Sequence, residues 1–273
     1  MKGLTPDHNL PLLETSGLTK DFGGLRAVAD LALRVAEGEI VGLIGPNGSG
    51  KTTVFNLITG LYRATGGRIR FEGAAGGPHE LVGRPAHAIT ALGIARTFQN
   101  QRLFNQMTVI ENVLVGMYCR TRAGLARVLL QTPLCRRERR DAEERALALL
   151  ALFGQRLLPR RDEPAFTLSY ANRRRLEIAR ALATEPKLLL LDEPAAGMNP
   201  TETRELMRDI LKIRERGVTI LLIEHDMHLV RGVSSRVVAL DHGEKLIEGN
   251  FAEVRNHPAV IEAYLGHRAR AAG

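Results

Sequence analysis

Three groups of residues in this sequence have the types and spacing that phosphate chemistry needs. Gly45, Gly50, Lys51 and Thr52 fit G-x-x-x-x-G-K-[ST]. In a loop of that kind, consecutive backbone N–H groups form a concave nest for an anion, the glycines let the chain curl without Cβ clashes, and the following helix adds its positive end. Pro46, Asn47, Gly48, Ser49 and Thr53 complete the cradle. Lys51 is expected to reach the outer phosphates and the Thr52 hydroxyl to help hold Mg²⁺. The second group is Asp192-Glu193, two carboxylates directly after the apolar run Leu188 to Leu191. Alone they would be a solvated strand end; beside a phosphate loop they are the expected Mg²⁺ holder and a candidate general base. The third is His225, a residue type that is usually structural when it stands alone, but here it follows another buried apolar run.

Each group needs a strand to deliver it. Ile40, Val41, Leu43 and Ile44 lead into the glycine loop, and Val54, Phe55, Leu57 and Ile58 lead out along a helix that stops at Gly60. Leu188 to Leu191 and Val218 to Ile223 read as strands buried on both faces, as in a parallel sheet. Ligands of parallel α/β sheets bind at the carboxyl edge, which is where Asp192, Glu193 and His225 would emerge. Leu12 to Val35 and Arg68 to Phe71 read instead as short antiparallel strands, with Gly23-Gly24 as a turn. Phe22 beside that turn is either an aromatic that stacks on a flat base or a half-buried hairpin residue.

From Thr108 to about Glu185 the chain is helix-rich, which reads as an insertion into the α/β core. Thr108 and Glu111 form a capping box, Asp141 to Phe153 repeats Ala and Leu at helical spacing before Gly154, and Ser169 caps a helix running to Leu182. The N-terminus of that last helix could bind a second anion. Further on, Thr201 to Ile213 is helical, and Val237 to Leu240 with Lys245 to Ile247 makes a hairpin. Pro258 to Leu265 is a short helix expected to end at Gly266. Residues 1–11 read as a loose arm.

Composition narrows the classes. The 273 residues suffice for one sizeable core, and no apolar run reaches the ~18 to 20 residues of a bilayer span. Pro6, Asp7 and Pro11 interrupt the stretch where a secretory signal would need a continuous apolar core. Cys119 and Cys135 lack metal or redox spacing and are expected to be reduced thiols. A formal charge of +8 and a pI near 10.0 suit a partner with a negative surface, nucleic acid or anionic lipid. Part of that excess is Arg120, Arg122, Arg127, Arg136, Arg137, Arg139, Arg140 and Arg145, interleaved with four acidic residues as on a solvated helical face. With 4% aromatics and no Trp, base-stacking platforms are scarce, so no nucleic-acid partner is expected.

With Gly45 to Thr52, Gln99, Leu168-Ser169, Leu188 to Glu193 and His225 in this order, the chain resembles the nucleotide-binding subunit of ABC transporters over nearly its whole length. The resemblance implies a P-loop NTPase core with an antiparallel β subdomain and an inserted helical subdomain: one nucleotide-binding domain over residues 12–251, its helical part at about 104–184, then a C-terminal helix and tail over 252–273. It implies ATP and Mg²⁺ as ligands and a head-to-tail pair with a second ATP-binding subunit. Each ATP would lie between one P-loop and the partner's signature helix, reached through the positions matching Ser169 and Ala171. Phe22 matches the aromatic on adenine, Gln99 the glutamine that senses Mg²⁺ and the γ-phosphate, Asp192 the Mg²⁺ aspartate, Glu193 the base and His225 the γ-phosphate contact.

ARTFQNQRLF, RRRLEIARAL, LDEPAAGMNPTET, LLIEHDM and IEAYLG make the finer resemblance one to the ATPases of branched-chain amino acid importers. Asn199 stands where most ABC proteins carry an aspartate, as it does in that group. Importers of urea, amides and other amino acids use similar subunits. The implied partners are transmembrane permease subunits and, indirectly, a solute-binding protein, at the cytoplasmic face of the inner membrane. An ATP-dependent nucleic-acid machine lacks support, since there is one nucleotide domain and no coiled-coil insertion. An assembly switch without hydrolysis fits poorly with having both Asp192 and Glu193. One departure stands out: Ala171 and Asn172 replace the second Gly and the Gln of the signature. Either the added methyl faces the partner's phosphate and hinders closure, or the helix absorbs it.

Overall fold

The structure, a computed structural model, describes residues 11–73, 77–99, 102–118 and 133–271. Residues 1–10 of the arm expected at 1–11, together with Cys119, Arg120, Arg122 and Arg127, lie outside the described residues. Two sheets organise the rest. The larger has the order β10-β9-β3-β8-β7-β6 and is built from β3 (Ile40–Ile44), β6 (Ile94–Arg96), β7 (Leu188–Asp192), β8 (Thr219–Ile223), β9 (Arg236–Asp241) and β10 (Glu244–Gly249). All its pairings are parallel except β10 with β9, which form the expected hairpin. Every residue of β3, β7 and β8 is buried, as their unbroken apolar runs require when both faces are covered.

Alternation along those strands divides the core in two. Leu189, Leu191, Ile220 and Leu222 face the helical layer, whereas Leu188, Leu190, Leu221 and Ile223 face the opposite way with Val41 and Leu43. On that second side lie α1 (Lys51–Ile58) and the smaller antiparallel sheet, order β2-β1-β4-β5: β1 (Leu13–Phe22), β2 (Leu25–Val35), β4 (Gly66–Glu72) and β5 (Pro78–Glu80). Burial of each such Leu or Ile contributes ~1.5–3 kcal/mol against exposure. β1 and β2 are ten and eleven residues long, not the short strands the sequence suggested. Register shifts break their alternation, and buried Thr15 bridges one of them by donating to Leu31 O and accepting from Leu33 N–H.

The helical layer holds α3 (Val109–Met117), α4 (Pro133–Leu152) and α5 (Tyr170–Leu182), and α2 (Ala86–Leu92) leads into β6. Thr108 and Glu111 make the reciprocal capping box that their spacing predicts. On α4, Arg139 pairs with Glu143 and Arg140 with Glu144 at one-turn spacing on an exposed surface, the solvated-face arrangement. The chain then adds α6 (Pro200–Glu215), α7 (Met227–Val233), α8 (Phe251–Asn256) and α9 (Pro258–Ala271). The expected end of α9 at Gly266 is corrected: the helix passes through it. A single helical Gly costs only about 1 kcal/mol relative to Ala, and no Pro follows to enforce a stop. α2 and β6 carry too few residues for a periodic signal and were not expected from sequence.

Candidate functional site

Three adjacent strands deliver the sequence-predicted groups to one edge. Register aligns Leu43 with Ile223 and Asp192 with Ile223, so the starts of the loops after β3, β8 and β7 stand level. The glycine loop after β3 has little freedom. At Gly45 a Cβ would come within 2.1 Å of Leu240 O, and at Gly50, whose φ is +97°, within 2.5 Å of Ala27 O. α1 then begins with no side-chain cap and no acidic residue in its first turn, so the positive end of the helix is left for an anion.

Lys51 is folded back into its own loop. Its Nζ donates to Gly45 O and Pro46 O, both at 2.8 Å, and to Ser49 Oγ at 3.3 Å, and the residue is only 6% exposed. Burial lowers its pKa to about 8, against the upward pull of Glu193 and Asp192. Thr52 and Asn47 are exposed beside it, and Ser49 is buried.

Asp192 is buried at the end of β7, and burial raises its pKa against the lowering pull of Arg96. One carboxylate oxygen, Oδ2, accepts from Arg96 at 2.8 Å, while buried Oδ1 has no hydrogen-bond partner. An orphaned, buried carboxylate oxygen next to a phosphate loop fits a divalent cation, with the Thr52 hydroxyl as a second oxygen donor. Arg96 was missed in the sequence. Besides Asp192, it donates to Asn56 Oδ1 on α1 at 2.6 Å and lies over the rings of Phe55 and Phe98. One guanidinium thus ties β6, β7 and α1 together behind the site.

Glu193 sits at φ 47°, left-handed backbone that costs a non-glycine residue ~1–2 kcal/mol. Its N–H is held by Ile223 O at 2.9 Å, and its Oε1 meets His225 Nε2 at 2.8 Å. A carboxylate paired with an imidazole at a sheet edge, within reach of an anion cradle, can accept a proton from water and hold it. Neighbouring Glu224, also missed as a functional group, fixes this pair. It is 3% exposed and accepts from the N–H groups of Ala195, His225 and Asp226, knotting the loop after β7 to the loop after β8. Burial raises its pKa, opposed by those three N–H bonds.

The remaining predicted residues lie apart from this pair. Phe22 is 42% exposed at the β1–β2 hairpin, perpendicular to the Tyr62 ring at 5.2 Å and under Lys20 Nζ. Gln99 is exposed, and its carbonyl accepts from Arg174, which also binds Phe98 O and Glu177, while Glu177 takes the Phe98 N–H. This buried Arg174–Glu177 pair clamps the Phe98-Gln99 backbone to α5. Ser169 caps α5 by accepting from Asn172 N–H at 3.4 Å, and no reciprocal bond forms because Asn172 Oδ1 accepts from Arg175 instead. Asn199 keeps a full capping box on α6, so the amide there caps as a carboxylate would.

Ala171 is 3% exposed, so its methyl is absorbed within this chain and is not presented to an incoming partner. The combined change Ala171→Gly and Asn172→Gln is therefore expected to leave steady-state ATP turnover within about threefold, under about 1 kcal/mol in the barrier. A larger rise in turnover would show that the methyl hinders closure after all.

Over most of its length the chain is similar to known proteins. The ABC transporter family model matches residues 28–196, and the model of the branched-chain amino acid ATP-binding cassette transporter C-terminal segment matches residues 244–270. The high-affinity branched-chain amino acid transport ATP-binding protein LivG of Salmonella typhimurium is 49% identical over 257 residues, 94% of this chain and 98% of that protein. Among solved structures, the ADP conformation of MJ1267, an ATP-binding cassette of an ABC transporter, matches with TM-score 0.80 and 30% identity, covering 94% of this chain and 100% of that one. The dimeric structure of MJ0796, a bacterial ABC transporter cassette, matches with TM-score 0.71 and 25% identity, covering 88% and 98%.

Proposed function

This chain belongs to the ABC transporter ATP-binding cassette family, and from that premise we propose that it hydrolyses ATP to drive a permease importing branched-chain amino acids. The observation that carries the hydrolytic part is the Glu193–His225 pair at 2.8 Å, set at the same sheet edge as the Gly45–Thr52 cradle. In this reading the loop N–H groups and the end of α1 bind the phosphates, and Phe22 offers its ring to adenine. Lys51 exchanges its bonds to Gly45 and Pro46 carbonyls for the outer phosphates. Glu193 takes the proton of the attacking water, and His225 holds the carboxylate in place and faces the γ-phosphate. Asp192, Thr52 and Gln99 are the residues that would hold Mg²⁺, whose charge would offset that developing on the transferred phosphoryl group. Ser169 and the Ala171 backbone would face the ATP of a second cassette, in a pair of the kind the MJ0796 dimer represents.

The reading of a membrane partner has its own support. A groove of about 430 Å³ is lined by Arg96, Val115, Tyr118, Glu177 and Arg180, with Tyr118 79% exposed and the 49% exposed Phe104 ring under the Arg180 guanidinium. Exposed aromatic and apolar side chains around a groove fit a protein partner better than solvent. No described helix is long and apolar enough to cross a membrane, so that partner would supply the spans. The solute is assigned from the LivG similarity and the matched residues 244–270, since a cassette of this kind meets ATP and permease rather than solute. A solute-binding protein and a place at the cytoplasmic face of the inner membrane complete the proposal. Purification from solubilised membranes tests it. Permease subunits should accompany the chain, and leucine, isoleucine or valine presented with the solute-binding protein should stimulate ATP turnover of the assembly. Stimulation by urea or short amides alone would reassign the solute.

A further inference from the structure

The amide of Gly45, first residue of the cradle, donates to the Tyr264 hydroxyl at 3.0 Å, across 219 residues of sequence. Tyr264 lies on α9, in the C-terminal segment, and nothing in the phosphate chemistry above uses it. Its ring is half-buried in a pocket of about 250 Å³ formed with Ile44, Met227 and Val260. Burial raises the phenol's pKa, so at neutral pH the hydroxyl is uncharged and offers its oxygen as an acceptor. Val260 in turn packs with Val230, Val237 and Val254, which anchors α9 against the sheet.

The Gly45 peptide is held on three sides. Its N–H meets Tyr264, its carbonyl meets Lys51 Nζ at 2.8 Å, and the space where a Cβ would stand is taken by Leu240 O. The far side of the loop is pinned separately, by Gly243 N–H on Ser49 O at 3.1 Å. Lys51 has three N–H donors, spent here on Gly45 O, Pro46 O and Ser49 Oγ, so a phosphate must displace at least one of these bonds. The bond from the Gly45 N–H to the Tyr264 hydroxyl does not depend on that exchange and comes from a side chain outside the loop. Met227, on the same pocket wall, begins the helix directly after His225-Asp226, so the pocket also adjoins the loop that carries the histidine.

We infer that Tyr264 is a positioning residue for ATP: its hydroxyl sets the Gly45 peptide, and through it the curvature of the phosphate loop, so that the C-terminal helix is part of the nucleotide site. The inference rests on reading Gly45 to Thr52 as the ATP cradle. If it holds, Tyr264→Phe in the full chain should raise both the Kd for a fluorescent ATP analogue and the KM for ATP by about three- to tenfold, the loss of one neutral hydrogen bond. The kcat should stay within about twofold, because the hydroxyl does not touch the reacting atoms. Glu262→Ala, at an exposed position of the same helix outside that pocket, should leave KM unchanged.

A hydroxyl that only satisfies a buried amide would instead lower the melting temperature of Tyr264→Phe and leave Kd and KM at parent values; that result, or an equal KM rise in Glu262→Ala, overturns the inference. Should Tyr264→Phe fail to fold, 3-fluorotyrosine placed at this one position keeps the ring and weakens the oxygen as an acceptor. It should raise the Kd in the same direction by a smaller factor, and an unchanged Kd overturns the inference equally. Parent protein that bound no ATP at all would count against the cradle reading itself, whatever Tyr264 does.

Discussion

Glu193→Gln is expected to bind ATP as the parent does and to hydrolyse it ~10²- to 10⁴-fold more slowly, the usual loss when a positioned general base is removed. The substitution isolates one property. Glutamine is nearly isosteric, its amide oxygen can still meet His225 Nε2, and the peptide keeps the same left-handed backbone and its N–H bond to Ile223 O. What disappears is the capacity to accept a proton. Binding of a fluorescent ATP analogue should therefore stay at parent strength while turnover collapses, and ATP-bound dimers, no longer resolved by hydrolysis, should persist in sedimentation velocity. Unchanged turnover would remove Glu193 from the mechanism and leave His225 without the partner this geometry gives it.

The parts of this site written in contiguous residues are legible in the amino-acid sequence alone. The glycine loop, the buried strands β3, β7 and β8, and the acidic and histidine residues at their ends are local patterns, because a strand buried on both faces must be apolar throughout and a chain that turns around an anion must use glycine. The start of α5 follows from Ser169 for the same local reason. Side chains whose partners lie far along the chain are not legible in this way. Arg96 meets Asp192 across 96 residues, and Tyr264 meets Gly45 across 219. Glu224 is visible only as one acid among Glu224-His225-Asp226, and nothing local distinguishes a carboxylate that collects three backbone N–H groups from one that points to water. Gly266 misleads because a helix stop requires a local alternative to the helix, and one glycine does not supply it.

Lys51→Ala is expected to reduce ATP turnover by ~10²- to 10³-fold, the cost of removing one pre-positioned charged donor from developing transition-state charge, and to weaken ATP binding as well. The structure separates this effect from a folding defect. In the structure Lys51 is buried, its pKa is lowered to about 8 by that burial, and its ammonium serves the carbonyls of Gly45 and Pro46. Keeping that charge out of water opposes folding, while the charge-assisted bonds to the two carbonyls favour it by roughly 1.5–3 kcal/mol each. Alanine removes both contributions together, so the melting temperature should move little while nucleotide chemistry is lost. Lys51→Arg gives the complementary test: it retains a cation, but the planar fork is too bulky for the curl that lets Nζ contact Gly45 O, Pro46 O and Ser49 Oγ together, so restored binding without restored turnover is the expected outcome. Parent-like turnover in Lys51→Ala would mean that phosphate is handled elsewhere on the molecule, and the cradle reading of Gly45 to Thr52 would fall with it.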